Sequence, residues 1–295
     1  MIVVGPPFVV RATLLLAIIH PPMPYQLSLP FPSRDVPTTS PGPNRCDHQH
    51  RLLNLAFNKR AGSYARAAVV QRRLAAWLAE WLEPAARVDD RSAVEVGAGD
   101  GLFTKYLAPR FRQLSAIDVS PCMVDKGRLR LPRVAWRVGD AWQLDGEPVD
   151  RLYSASLLHW CDAPVSVLRH WRRLTKPGGR MLHGFYVAPT LAEWHSIAGA
   201  YSPVNWRSPS QWEACFREAG WRVLRGEAKR HVQQFASARE LVRFFHLTGA
   251  ITPLQMPIAN LRRLIGDYQR KFASPIGAPA VTSTWTFFRI EAASR

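Results

Sequence analysis

Residues 94–101, Val-Glu-Val-Gly-Ala-Gly-Asp-Gly, constrain the fold more than any other stretch. An apolar run ending in Glu95 and meeting Gly97, Gly99 and Gly101 at alternate positions reads as a strand that turns tightly into a helix. Glycine permits such a turn and lets the backbone approach a ligand. The spacing excludes the dinucleotide fingerprint, whose third glycine falls three residues after the second, because that position is Leu102. A plain structural turn has the same glycines, so the rest of the chain must decide.

Downstream, strand-like and helix-like segments alternate at the interval of a parallel sheet with crossover helices. Strands are expected at Ala93–Val96, Leu114–Asp118, Val134–Val138, Val149–Ser154, Arg180–Tyr186, 221–228 and Thr284–Glu291. Helices are expected at 52–82, 102–109, 121–129, 163–174 and 210–219. The first carries Val70, Leu74, Trp77, Leu78 and Trp81 on one face and ends at Pro84. The helix at 163–174 has Asp162 as its expected cap, Pro164 in its first turn and Lys176-Pro177-Gly178-Gly179 as its stop. The fold class is α/β: a Rossmann-like, seven-stranded sheet with helices on both faces and a late hairpin. Residues 187–209 and the helical-looking 230–272 break the alternation and read as a lid over the C-terminal edge of the sheet, where open α/β folds bind ligands.

Ten prolines between Pro6 and Pro43 make residues 1–45 a disordered leader or an over-extended gene start, with one domain over 46–295. The apolar run at 12–19 lacks a signal peptide's basic start and cleavage site, and it is too short to span a bilayer, so no membrane role is expected. Cys46, Cys122, Cys161 and Cys215 are far apart with no zinc-like spacing, so no metal is expected and a reducing cytoplasm fits. A net charge of +17 would attract nucleic acid, an anionic membrane or an acidic carrier protein alike. No recognition-helix or RNA-binding signature supports nucleic acid.

The glycine segment is similar to motif I of the class I methyltransferases, which implies S-adenosylmethionine as cofactor and a methyltransferase sheet. The resemblance places Glu95 near the methionine amino group, with Gly97, Ala98, Gly99 and Gly101 as the loop around the cofactor. Asp118, seventeen residues after Gly101, ends the second strand, where a carboxylate can accept from both ribose hydroxyls; Val119 follows it. In the family the next segment, Ser120-Pro121-Cys122-Met123, lies beside the adenosine, with Met123 against the purine; a helix start with Met123 in the core reads equally well. Gly139-Asp140-Ala141 matches the position that meets the adenine amino group, although Asp140 is also an ordinary turn residue. Asp150, at a strand start, is read as structural.

Later segments resemble one family, the malonyl-[acyl-carrier protein] O-methyltransferases of biotin synthesis. These are Phe57 to Tyr64 with Gln71, Leu158-His159-Trp160-Cys161, Pro189 to Trp194, Val204-Asn205, and Ser237 to Leu241 leading to Thr248-Gly249-Ala250. The chain departs from it at His159, Pro203 and Val281 to Thr284. The resemblance implies transfer of a methyl group to the free carboxylate of a malonyl thioester, borne by an acidic acyl-carrier protein or by coenzyme A. That acceptor is ionised at neutral pH, with a reference pKa of roughly 4, so no general base is required. Acceptor-side candidates are Tyr64, His159, Trp160, Asn205 and Arg207. For His159 the competing role is packing beside tryptophan, and for Arg207 it is solvation. Other readings are a methyltransferase for another small acid or small molecule, and a non-catalytic cofactor- or nucleic-acid-binding protein.

Overall fold

Strand β1, Asp89–Val96, lies at the centre of a seven-stranded sheet with order β3-β2-β1-β4-β5-β7-β6. The computed structural model describes residues 67–84, 89–198, 206–248, 257–274 and 280–294. The expected leader and the first part of the opening helix lie outside the described residues, as do Tyr64 and Asn205.

Helix α1 (Val69–Ala79) precedes β1. After β1 come α2 (Thr104–Leu107), β2 (Phe111–Asp118), α3 (Pro121–Arg130), β3 (Ala135–Val138), β4 (Val149–Ala155), α4 (Pro164–Arg173) and β5 (Thr175–Tyr186). The chain continues with α5 (Ala192–Ala198), α6 (Pro209–Glu218), β6 (Arg222–Phe235), α7 (Ala238–Thr248), α8 (Ile258–Lys271) and β7 (Val281–Ala293). The first five strands are parallel, and β7 runs antiparallel to both β5 and β6. From β1 the chain moves outward through β2 and β3, then returns to lay β4 on the other side of β1. The C-terminal ends of β1 and β4 therefore flank the point where strand order reverses, the usual crevice of an open α/β sheet.

Alternation along the strands builds a core on each face. Val94, Val96, Leu152, Met181 and Phe185 join one cluster with Trp171, Trp212 and Trp221. Their neighbours Ala93, Tyr153 and Leu182 join another with Leu78, Phe103 and Trp136. The indoles of Trp171 and Trp221 donate to the carbonyls of Ala141 and Leu168, both at 2.8 Å, so neither buried N–H is wasted. A third cluster, including Trp77, Tyr186, Trp194, Phe244, Phe245, Tyr268 and Trp285, joins α1 and the later helices to β5 and β7.

Local chemistry sets several boundaries. Ser120 caps α3 by accepting from Met123 N at 3.3 Å, with Pro121 at the first helical position. Ser208 and Gln211 form a capping box at the start of α6. Asp150 behaves as the structural residue expected: it accepts from Ser92 N at 2.9 Å, Ser92 Oγ at 2.8 Å and Lys176 Nζ at 2.8 Å. The Lys176 and Ser92 hydrogen bonds pull its carboxyl down to about 2, against the effect of burial.

Three expectations are corrected. Asp162 does not cap α4: Ala163 occupies the cap position, no side chain caps it, and Pro164 begins the helix. The Lys176-Pro177-Gly178-Gly179 stretch follows the helix end at Arg173 but lies within β5, where the register shifts between the pairs Val149–Thr175 and Arg151–Arg180. Residues 230–235 are strand, not helical lid, because β6 continues to Phe235 and pairs with β7 as far as Val281. This edge strand is polar and mostly exposed, which removes the apolar alternation by which a strand is usually recognised.

His183 on β5 is fully buried, with Nδ1 2.7 Å from Ser154 Oγ and Nε2 without a partner. Burial pushes it down to about 3, so the folded protein keeps it neutral while the unfolded chain titrates near 6.5. The stability that depends on this group is complete above pH ~6.5 and is lost as pH falls toward 3, by at most about 1.4 kcal/mol per pH unit. Urea unfolding at pH 7, 6 and 5 should show that His183→Phe has a shallower acid slope than wild type by about one proton.

Candidate active site

Glu95, one residue before the end of β1, is 1% exposed and its Oε2 has no hydrogen-bond partner. Burial pushes its carboxyl up to about 8; the nearby Thr104 hydroxyl opposes this and the charge of Asp118 adds to it. The chain then passes through Gly97, Gly99 and Gly101, all in the left-handed region with φ of 65°, 57° and 94°. At Gly97 a Cβ would lie 2.8 Å from the end of the Leu157 side chain, which would have to shift to admit it. At Gly99 no atom lies within 4 Å of where a Cβ would stand, and that face of the turn is open.

Asp118 joins this loop to the next one. Its Oδ2 accepts from Gly99 N at 2.8 Å and its Oδ1 from Ser120 N at 2.9 Å. Burial raises its pKa above the ordinary value, the two N–H groups oppose this, and the nearby Asp100 charge adds to the rise. Each oxygen retains acceptor capacity. Asp140 caps the short turn Ala141–Gln143 by accepting from Trp142 N at 2.8 Å. Val119 is half-buried, while Met123 and Ala141 are buried.

A cleft of about 320 Å³, counting its open mouth, lies between the ends of β1 and β4. Glu95, Gly97, Ala98 and Gly99 line it, with Gln71, Ala75, Asp100, Leu102, Phe103, Ala155 and Ser156. Gly101 faces away, toward Leu131 and Trp136, and Asp118 meets the lining through Gly99. Val119, Met123, Asp140 and Ala141 are not part of the lining.

His159 and Trp160, expected from the sequence on the acceptor side, sit in the turn Leu158–Trp160 beyond β4. The His159 ring packs 4.8 Å from Tyr186, 5.1 Å from Trp160 and 5.7 Å from Trp206, and its Nδ1 is buried without a partner. Burial pushes His159 down to about 3, which keeps it neutral. Arg207 is half-buried: its two Nη atoms donate to the carbonyls of Cys161 and Asp162, both at 3.1 Å, and its guanidinium lies 5.4 Å from the Trp212 ring.

Residues 94–183 match the methyltransferase domain family. The chain is 27% identical over 237 residues to the biotin biosynthesis bifunctional protein BioHC of Cellvibrio japonicus, covering 76% of this chain and 47% of that protein. It is 28% identical over 214 residues to the malonyl-[acyl-carrier protein] O-methyltransferase of Halorhodospira halophila, covering 68% of this chain and 71% of that one. In fold it matches the YcgJ protein of Bacillus subtilis with a TM-score of 0.56 at 15% identity, covering 76% of this chain and 98% of that one. The chain thus carries a methyltransferase domain at residues 94–183 on a sheet of the same fold. It spans just under half of the bifunctional relative, 47%.

The methyltransferase cleft includes residues that the motif spacing did not single out as site residues. Gln71 is 5% exposed on the buried face of α1, and its Oε1 has no partner. A glutamine among Val70, Leu74, Ala75 and Leu78 was the visible signal. Asp100 is fully buried and pairs with Arg130 at 2.7 Å, leaving Oδ1 without a partner. Ser156 gave no signal, because its φ of 61° is a tertiary property.

The two glycines make a discriminating pair. Gly97→Ala should add displacement of the Leu157 side chain to left-handed strain and cost about 2 kcal/mol. Gly99→Ala should cost only the backbone strain, about 1 kcal/mol. Urea unfolding of the two variants should rank Gly97→Ala as clearly less stable; equal losses would contradict the packing described.

Proposed function

We propose that this methyltransferase binds S-adenosylmethionine in the cleft at the ends of β1 and β4 and transfers its methyl group to the free carboxylate of a malonyl thioester. The observation that carries the cofactor reading is the convergence of unpartnered buried oxygens, Gln71 Oε1, Glu95 Oε2 and Asp100 Oδ1, in a cleft whose described lining contains no Lys or Arg. Such a lining suits a cation-bearing ligand. When bound, the cofactor supplies a methyl group on a positively charged sulfur. Glu95 holds the amino end, the Gly97–Gly99 turn lets the ligand approach the backbone, and the remaining capacity of Asp118 accepts from the ribose hydroxyls. Gly101 shapes the turn. Val119, Met123, Asp140 and Ala141 complete the adenosine side.

The malonyl reading rests on the resemblance of the later segments and on the relatives' names. A carboxylate acceptor arrives ionised, so the residues around it need only orient one oxygen and exclude water. The helices after β5 and β6 are the proposed cover, with Tyr64 and Asn205 as further acceptor-side candidates. An acidic acyl-carrier protein is the proposed carrier of the malonyl group, malonyl-coenzyme A its simpler substitute, and biotin synthesis the setting. Among the described residues no helix is long and apolar enough to cross a membrane, and no group of His, Cys, Asp and Glu could hold a metal. A cytoplasmic setting belongs to the same proposal.

Incubation with S-adenosylmethionine and malonyl-carrier protein should add one methyl to the acyl chain by mass spectrometry, and Asp118→Ala should abolish the addition. Cofactor binding without transfer would discard malonyl as acceptor and leave other small carboxylates to be tested.

Glu95 makes binding pH-dependent with a definite sign. In the free protein its carboxyl is protonated below about 8, and a cationic ligand favours the ionised form. Cofactor affinity should therefore weaken as pH falls below 8, by up to about tenfold per pH unit, with a proton released on binding at neutral pH. Calorimetry in buffers of different ionisation enthalpy reads that proton, and Glu95→Gln should remove it.

A further inference from the structure

We propose that Ser156 seats the acceptor, its hydroxyl and that of Tyr186 forming a neutral hydrogen-bonded pair that gives one hydrogen to the reacting carboxylate. The inference rests on the carboxyl-methylating reading above and assigns it a contact. Ser156 follows β4 directly and lines the same cleft as Glu95 and Gly97. Among the described residues only Ser156 and Leu191 are non-glycine residues in the left-handed region, with φ of 61° and 56°. A serine there carries strain, and the sheet maintains it: Ser156 N donates to Gly184 O on β5 at 2.8 Å.

This backbone aims the hydroxyl at Tyr186, the last residue of β5, with Ser156 Oγ 3.3 Å from Tyr186 OH. Tyr186 is 2% exposed, and its ring is fixed by His159 at 4.8 Å, Trp285 at 5.1 Å and Phe287 at 5.8 Å. Each hydroxyl has one hydrogen to give. One lies between the two oxygens, and the other remains for a ligand in the cleft. His159 extends this uncharged polar wall, with Nδ1 buried and unpartnered.

The chemistry favours neutral donors over a cation. In the transfer, a lone pair of the carboxylate oxygen forms the new O–C bond while the electron pair of the breaking C–S bond stays on sulfur, and no proton moves. A negative and a positive charge disappear together. A guanidinium on the carboxylate would stabilise the charged reactants more than the transition state, and it would repel the sulfonium. Hydroxyl donors orient the oxygen at lower cost to its nucleophilicity. Arg207, an acceptor-side candidate from the sequence, already gives one hydrogen from each Nη to the Cys161 and Asp162 carbonyls.

The test compares wild type with Ser156→Gly, Ser156→Asn and Tyr186→Phe. Glycine adopts the left-handed backbone without strain, and asparagine tolerates it while retaining a donor. With malonyl-carrier protein as acceptor, Ser156→Gly and Tyr186→Phe should each raise the acceptor KM about tenfold, the size of one lost hydrogen bond. Ser156→Asn should recover most of the loss, and S-adenosylhomocysteine should bind all four proteins within about twofold. An acceptor KM unchanged in Ser156→Gly, or a loss of S-adenosylhomocysteine affinity in parallel with it, overturns the assignment while an active wild type preserves the carboxyl reading. A wild type that methylates no malonyl thioester removes both.

Discussion

Three loops of this protein rest on one residue. The carboxylate of Asp118 accepts from Gly99 N and Ser120 N, at 2.8 Å and 2.9 Å, and its carbonyl accepts from Gly139 N at 3.0 Å. The loops after β1, β2 and β3 are thereby held in one geometry at the C-terminal edge of the sheet. Ala98 N donating to Ile117 O at 3.0 Å adds a second tie one residue away. The charged hydrogen bonds are stronger than neutral ones, and they permit a carboxylate to be desolvated here. The left-handed glycines follow from this anchoring, since the turn must fold back to present Gly99 to Asp118.

The same edge is chemically unlike the basic exterior. The protein carries a formal +17, yet its cleft is lined by Glu95 and Asp100 with no described Lys or Arg. A basic exterior governs long-range encounters, whereas a ligand inside meets the nearest groups in a poorly hydrated space. The two scales are compatible with an acidic partner outside and a cationic ligand within.

Placing Gln71 in that cleft depends on α1, and α1 is held by Arg289 of β7. This arginine is 5% exposed, with Nε and Nη2 at 3.1 Å and 2.7 Å from Glu227, and Nη1 bonded to Glu80 at 3.1 Å and to the Trp77 carbonyl. Its guanidinium lies 4.2 Å and 4.4 Å from the rings of Trp77 and Trp81. A buried charge is tolerated when every donor is matched and aromatic faces replace part of its hydration. The latch fixes the helix against the β6–β7 hairpin, so the far edge of the sheet helps to set one wall of the cleft.

The order of the elements was legible in the sequence, as was the cleft position of Glu95, Gly97, Ala98 and Gly99, because both depend on local rules. Strand alternation, proline and glycine punctuation and the spacing from Glu95 through Gly101 to Asp118 all act over a few residues, and the structure contains each corresponding element. The polar edge strand was not legible beyond residue 228, since a strand with one paired side and two wet faces has no apolar period. Nor was the role of Arg207, which depends on carbonyls 45 and 46 residues away. The Ser156–Tyr186 contact joins positions 30 residues apart through adjacent strands, with a left-handed φ that a serine does not advertise. The sequence by itself determined which chemical groups reach the C-terminal edge of the sheet; only the packing of β4, β5 and β7 decided which of them meet, because side-chain partnerships across strands are set by register and not by spacing along the chain.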